Sequence, residues 1–172
     1  MSCDIHIFAE YKDKKTNKWE IVEDDIFTPD EFPGNFVEYL TPYPFNWRSY
    51  IMFSILAGVR NRLDLNPISE PKGLPLDSEY LNTPRLDIWE KGGEAYQPAY
   101  LRNEINRDLD FHSLSYITLS ELLQYDYDQM NDEFDEGETL REYLSPVFFK
   151  NIEEMKTLGE SKDVRIIFYF DN

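Results

Sequence analysis

Residues 164–170 read Val-Arg-Ile-Ile-Phe-Tyr-Phe, β-branched and aromatic with a single charge, and no other stretch constrains the fold as strongly. A run of this kind reads as a buried central strand. Its partner lies at the other end of the sequence. Across residues 4–11, Ile5, Ile7 and Ala9 alternate with Asp4, His6, Phe8 and Glu10, the period of two that gives a strand one apolar and one more polar face. Pairing the two segments predicts a small, mostly antiparallel sheet with Ile5 and Ile7 buried. The polar run 12–18 followed by 19–22 extends the first strand into a hairpin with charged margins, which discourage edge-to-edge association.

The helical signals are local. Asn46 is placed to cap a helix over 47–57 that Gly58 stops, with Tyr50, Phe53, Ser54 and Ala57 on one face. Thr118 with Glu121 and Thr139 with Glu142 have capping-box spacing, and Ser145-Pro146 supplies a cap and first-turn proline for a helix reaching Leu158. Proline and glycine break up residues 26–45, predicting an irregular loop anchored by Phe27, Phe32, Phe36 and Tyr39. Pro67, Pro71, Pro75, Pro84, Pro98 and Gly92-Gly93 predict a long loop-rich insertion over 60–100, the kind of segment that carries function. Residues 121–142 read as an acidic helical segment. They fail as a calcium loop, because counting from Asp126 places Met130 and Asn131 where an oxygen ligand and a glycine are required. The economical fold class is α+β, one domain over 1–172 with helices on one side of the sheet.

Charge removes several function classes. The 34 acidic and 17 basic side chains leave a net charge of −17, which repels polyanions and argues against direct nucleic-acid binding. The bases concentrate in a neutral middle, residues 44–107, which holds Arg48, Arg60, Arg62, Lys72, Arg85, Arg102 and Arg107. An anion site is expected there. The lone Cys3 forms no internal bridge and no zinc-binding cysteine pair exists. No basic leader and no apolar run of roughly 18 residues is present, so no membrane association and a cytoplasmic location are expected.

Two constellations carry potential chemistry. The only histidines, His6 and His112, sit in matched frames, Asp4-Ile-His6 and Asp110-Phe-His112. In an extended strand each carboxylate and imidazole project to one side, about 7 Å apart. Convergence of the pairs would form a polar centre, with His112 the preferred general acid or base. Spacing gives no local metal chelate, so a metal and any other cofactor stay open. The second constellation is cationic: Arg60 offers a planar fork, Lys72 a compact charge and Gly73 close backbone approach, a combination suited to phosphate. It lacks the spacing of a nucleotide-binding P-loop. Ser113 and Ser115 are further candidate donors to an anion.

These motifs also carry a resemblance. Cys3-Asp4-Ile5-His6, Arg48-Ser-Tyr50, Leu56-Ala-Gly-Val-Arg60, Lys72-Gly-Leu-Pro75 and Asp110-Phe-His-Ser-Leu-Ser-Tyr116 resemble a family of small uncharacterised proteins of bacteriophage and prophage genomes. That family usually has His-Ser-His-Ser-aromatic in the last motif. Leu114 replaces the second histidine here, which shifts weight from a histidine-rich metal site to ligand binding. The resemblance implies a viral accessory role in the host cytoplasm. The expectation that follows is immune evasion: binding, and possible cleavage by a phosphodiesterase-like His pair, of a small phosphorylated nucleotide such as a cyclic immune signal. Asp4, His6, Asp110 and His112 would be catalytic, and Arg48, Tyr50, Arg60, Lys72, Gly73, Ser113 and Ser115 ligand-binding. The alternative is an acidic inhibitor, a DNA mimic whose partner is a host nucleic-acid enzyme.

Overall fold

The computed structural model describes residues 2–30 and 39–172. In chain order the elements are β1 (Asp4–Lys12), β2 (Trp19–Ile21), α1 (Tyr50–Ala57), α2 (Glu79–Asn82), β3 (Pro84–Gly92), β4 (Ala95–Tyr100), α3 (Leu101–Arg107), β5 (His112–Thr118), α4 (Leu119–Gln124), α5 (Leu140–Tyr143), α6 (Pro146–Met155) and β6 (Val164–Asp171). The main sheet has the order β2-β1-β6-β5, antiparallel throughout, and β3 with β4 forms a separate two-stranded ribbon. This is an α+β fold. The two segments whose composition predicted adjacent strands pair in register from Asp4↔Asp171 to Tyr11↔Val164.

Both faces of the sheet are covered. Ile5, Ile7 and Ala9 of β1 join Val164, Ile166, Phe168 and Phe170 of β6 beneath α1, α4 and α6, the main core. The two longest helices, α1 and α6, thus share one side with α4, while the shorter α2 and α3 lie on the other. The other face is roofed as well: Phe8 and Ile167 meet Leu81 of α2, Ile105 of α3 and Leu74. For that reason Phe8 and Glu10, assigned to the more polar face of β1, are buried. Glu10 receives Arg165 Nε at 2.9 Å and the Ser78 hydroxyl, while Arg165 also bonds Asp77 at 2.8 Å and lies over the Trp19 ring at 3.9 Å. Arg165 Nη2 is 2.7 Å from Glu10 Oε2 but misaligned for a second hydrogen bond.

Several local expectations need correction. Helix α1 begins after Ser49, whose hydroxyl accepts the Met52 N–H at 3.3 Å, and not after Asn46. The cause is Phe45, fully buried at φ +53° with its N–H given to Asn151 Oδ1, which holds the chain out of helical geometry just before residue 46. Gly58 ends the helix in the left-handed conformation as predicted. The 60–100 segment is not loop throughout, since it contains α2 and the β3–β4 ribbon. The apolar content of that ribbon is real, but its strands lack the inward face that alternation detects, as most of their residues are exposed. The 121–142 segment is helical only at its ends: the Asp126 carboxylate and the Asn131 amide oxygen accept turn hydrogen bonds from Asp128 N–H and Glu133 N–H, and so compete with a helix. Phe27 is a buried anchor, whereas Tyr39 is 65% exposed; Phe32 and Phe36 lie outside the described residues. Among the described residues no helix is long and apolar enough to cross a membrane.

Candidate functional site

Directly opposed residues of an antiparallel pair project to the same face. His6 opposes Tyr169 and His112 opposes Phe170, so the two imidazoles lie on opposite faces of the sheet. Ring contacts agree: His6 stacks on Tyr169 (4.8 Å, 9°) and His112 on Phe170 (6.0 Å, 24°). The expected convergence of the two imidazoles in one cleft is not seen: they sit on opposite faces, although both act electrostatically on Asp171. The misreading came from assuming a regular strand at both Asp-x-His triplets. Residues 108–110 form a turn, and the register shifts between His112 and Ser115 around Ser113 at φ +53°.

Apart from Asp110 and His6, the predicted residues fall into two groups. Around the end of β1, Asp4 makes a bidentate pair with Arg48 (2.8 Å twice), and Arg60 lies 6.0 Å from the Tyr50 ring and donates to Asn172 at 3.3 Å. Burial pushes the adjacent Cys3 thiol up, with the Arg60 hydrogen bond opposing it. His112 Nδ1 meets the Ser113 hydroxyl at 3.0 Å, and its Nε2 is buried without a protein partner. The second group is structural. Lys72 ion-pairs with Glu121 at 2.8 Å, its N–H bonds the Ser115 hydroxyl, and Gly73 N–H bonds Leu114 O at 2.8 Å, strapping residues 72–73 to the free edge of β5. Gly73 is required by its φ of +77° rather than by close approach, for a Cβ there would meet nothing within 4 Å. Asp110 is exposed, in the turn before β5.

His6 alone of the predicted set lines a cleft, of about 480 Å³, between the main sheet and the β3–β4 ribbon. Its Nε2 meets Asp171 Oδ2 at 2.9 Å, and that bond foremost holds the Asp171 carboxyl below its ordinary range. Tyr43, Tyr80 and Tyr169 supply aromatic walls, and Asn46, Glu104 and Arg85 supply polar groups. Burial first, and then Glu104, pushes the Tyr169 phenol up to about 12, so it is a neutral donor. Arg85 is clamped by Asp87 at 2.8 and 2.6 Å and donates to the Tyr80 hydroxyl. The bounding strand adds backbone groups. Beyond the bond from Val22 N–H to Ala9 O, β2 no longer covers β1, so in the alternating antiparallel pattern the outward N–H and C=O of Ile5 and Ile7 have no strand partner among the described residues.

Of these cleft residues the sequence reading flagged only His6 and, as one cation of the neutral middle, Arg85. Tyr169 is legible merely as part of the predicted strand 164–170, and Asp171 lies just beyond it. Among the described residues no three His, Cys, Asp or Glu side chains gather as metal ligands. Comparisons with protein-family models, with curated proteins and with solved structures find no match.

Proposed function

We propose that the protein binds a small nucleotide-like ligand in the His6 cleft, its base against the tyrosines and a single phosphate at Arg85. The observation that carries this reading is the His6 imidazole, oriented by Asp171 and stacked on Tyr169 at the wall of an aromatic cleft. A volume of about 480 Å³ suits a mononucleotide, and base stacking on an aromatic ring contributes about 1–3 kcal/mol. The outward backbone donors and acceptors of Ile5 and Ile7, without a strand partner among the described residues, suit the polar edge of a base.

Charge limits the phosphates to one. Arg85 is already shared with Asp87, and Glu104 faces the same space. At an effective dielectric of about 20, each further negative charge within about 6 Å of a carboxylate costs about 3 kcal/mol. A mononucleotide is thus favoured over a cyclic dinucleotide. With one imidazole in the cleft, the reading is sequestration, not two-histidine cleavage. The viral, immune-evading setting rests on the motif resemblance alone.

Native mass spectrometry with nucleoside monophosphates, cyclic mononucleotides and cyclic dinucleotides tests the proposal. Bound mononucleotide that is lost in both Tyr80→Ala and Arg85→Ala is expected. No bound mass from the whole panel, or binding unchanged by both substitutions, would refute it.

A further inference from the structure

The β3–β4 ribbon presents an aromatic face that the described parts of the chain leave open. Its register places Trp89 opposite Pro98 and Lys91 opposite Tyr96, so these four side chains share one face. Glu90 and Gln97 take the other, where Glu90 pairs with Arg107 of α3 at 2.5 Å. Trp89 is 55% and Tyr96 70% exposed, and nearby Leu86 is 80% exposed. Exposed aromatics held on a ribbon have the anatomy of an interface core.

Charge identifies the occupant. Residues 84–107 hold four basic side chains (Arg85, Lys91, Arg102, Arg107) and four acidic ones (Asp87, Glu90, Glu94, Glu104), neutral within a chain of −17. Two copies of so acidic a molecule repel one another over most of their surfaces. A projection of zero net charge, whose four facing side chains include the cation Lys91 and no carboxylate, is where they can meet.

We infer that this ribbon face is a self-association surface, and that its partner is a second copy of the chain packed about a two-fold axis. Trp89 and Tyr96 form the centre of the contact. In a two-fold contact each patch meets itself, so one substitution acts twice. This surface is separate from the His6 cleft, and the inference stands whether or not a nucleotide binds.

Sedimentation equilibrium of the full chain from 5 to 200 µM (roughly the range for a modest dimer), in low and in high salt, reads it directly. A reversible dimer is expected, tighter in high salt because the long-range repulsion between monomers is screened while the apolar contact is not. The double substitution Trp89→Glu and Tyr96→Glu places new carboxylates at the centre of the contact and should weaken dimerisation at least tenfold with an unchanged far-ultraviolet circular dichroism spectrum. Amide exchange in 84–100 should slow with concentration in the parent only. A monomer at every concentration in high salt overturns the inference. So does a dimer that the double substitution leaves intact.

Discussion

His6 and Asp171, separated by 165 positions, meet at 2.9 Å because β1 and β6 are antiparallel neighbours in the register that sets Asp4 against Asp171. The side chain of Asp171 also accepts the Asp4 N–H at 3.2 Å. One carboxylate thus closes the end of the strand pair and orients the cleft imidazole. The paired strand was legible from composition, whereas this contact was not, since it depends on register.

Acid should expose the His6–Asp171 link. The native carboxyl of Asp171 sits below its ordinary value, so the native state binds the proton less readily than the unfolded chain. The stabilisation is present above the unfolded value of about 4 and is lost as pH falls through the native one. Denaturant titrations at several pH values between neutral and strongly acidic should show the parent losing its advantage over Asp171→Asn at the acidic end. An advantage that grows with acid would contradict the assignment.

The buried Glu10–Arg165 pair should be costly to break on one side. Burial raises the Glu10 carboxyl against the opposing pull of Ser78 and Arg165. Removing the cation in Arg165→Met strands that carboxylate and should cost about 3–5 kcal/mol of stability. Adding Glu10→Gln should recover part of it, a coupling that a double-mutant cycle measures. Additive losses would show that the two groups act independently.

Lys72 was read from the sequence as a phosphate ligand, and its surroundings give a different expectation. Although burial acts to raise it, the Glu121 carboxyl is lowered by Lys72 and by Thr118, whose capping box starts α4. Lys72→Ala should leave nucleotide binding in the cleft unchanged and cost less than about 1 kcal/mol, the scale of a partly exposed pair. Calorimetry showing tenfold weaker nucleotide binding would restore the cationic loop to the site.

The legible and illegible parts of the molecule divide along physical lines. Thr118, Ser145 and Gly58 announced helix ends because capping chemistry is confined to a few consecutive residues. The β3–β4 ribbon escaped notice because strand patterning records burial on one side, and this ribbon has little. The cleft escaped for another reason. Tyr43, Tyr80, Arg85 and Tyr169 come from four segments brought together only by the roofing of the second sheet face, and no local spacing encodes that.

Neutralising the acidic turns tests the inhibitor alternative. In the structure Asp132, Glu133, Asp135 and Glu136 are not buried, so their replacement by Asn or Gln should leave thermal stability and cleft binding nearly unchanged. Unaltered nucleotide binding together with loss of biological activity would favour a charged protein interface over the cleft.

The two histidines, alike in sequence context, should separate completely on substitution. His6 faces the cleft with its Nε2 held by Asp171, so His6→Ala removes the other ring nitrogen and the imidazole surface from the ligand and should weaken binding by about 1–3 kcal/mol, the scale of a lost buried hydrogen-bond partner. His112 belongs to the opposite face. Its stacking on Phe170 is replaceable by an apolar ring, the one bond lost is that of Nδ1 with Ser113, and its buried Nε2 has no partner among the described residues to lose. An unsatisfied buried polar atom costs about 1–3 kcal/mol, so His112→Phe should be neutral or stabilising in chemical denaturation while leaving nucleotide affinity unchanged. The magnitudes make the outcome decisive, because a 1–3 kcal/mol loss is roughly a 5- to 150-fold change in the dissociation constant. Equal losses of affinity from both substitutions would mean that the ligand spans both sides of the sheet, which the register of β1, β5 and β6 does not allow.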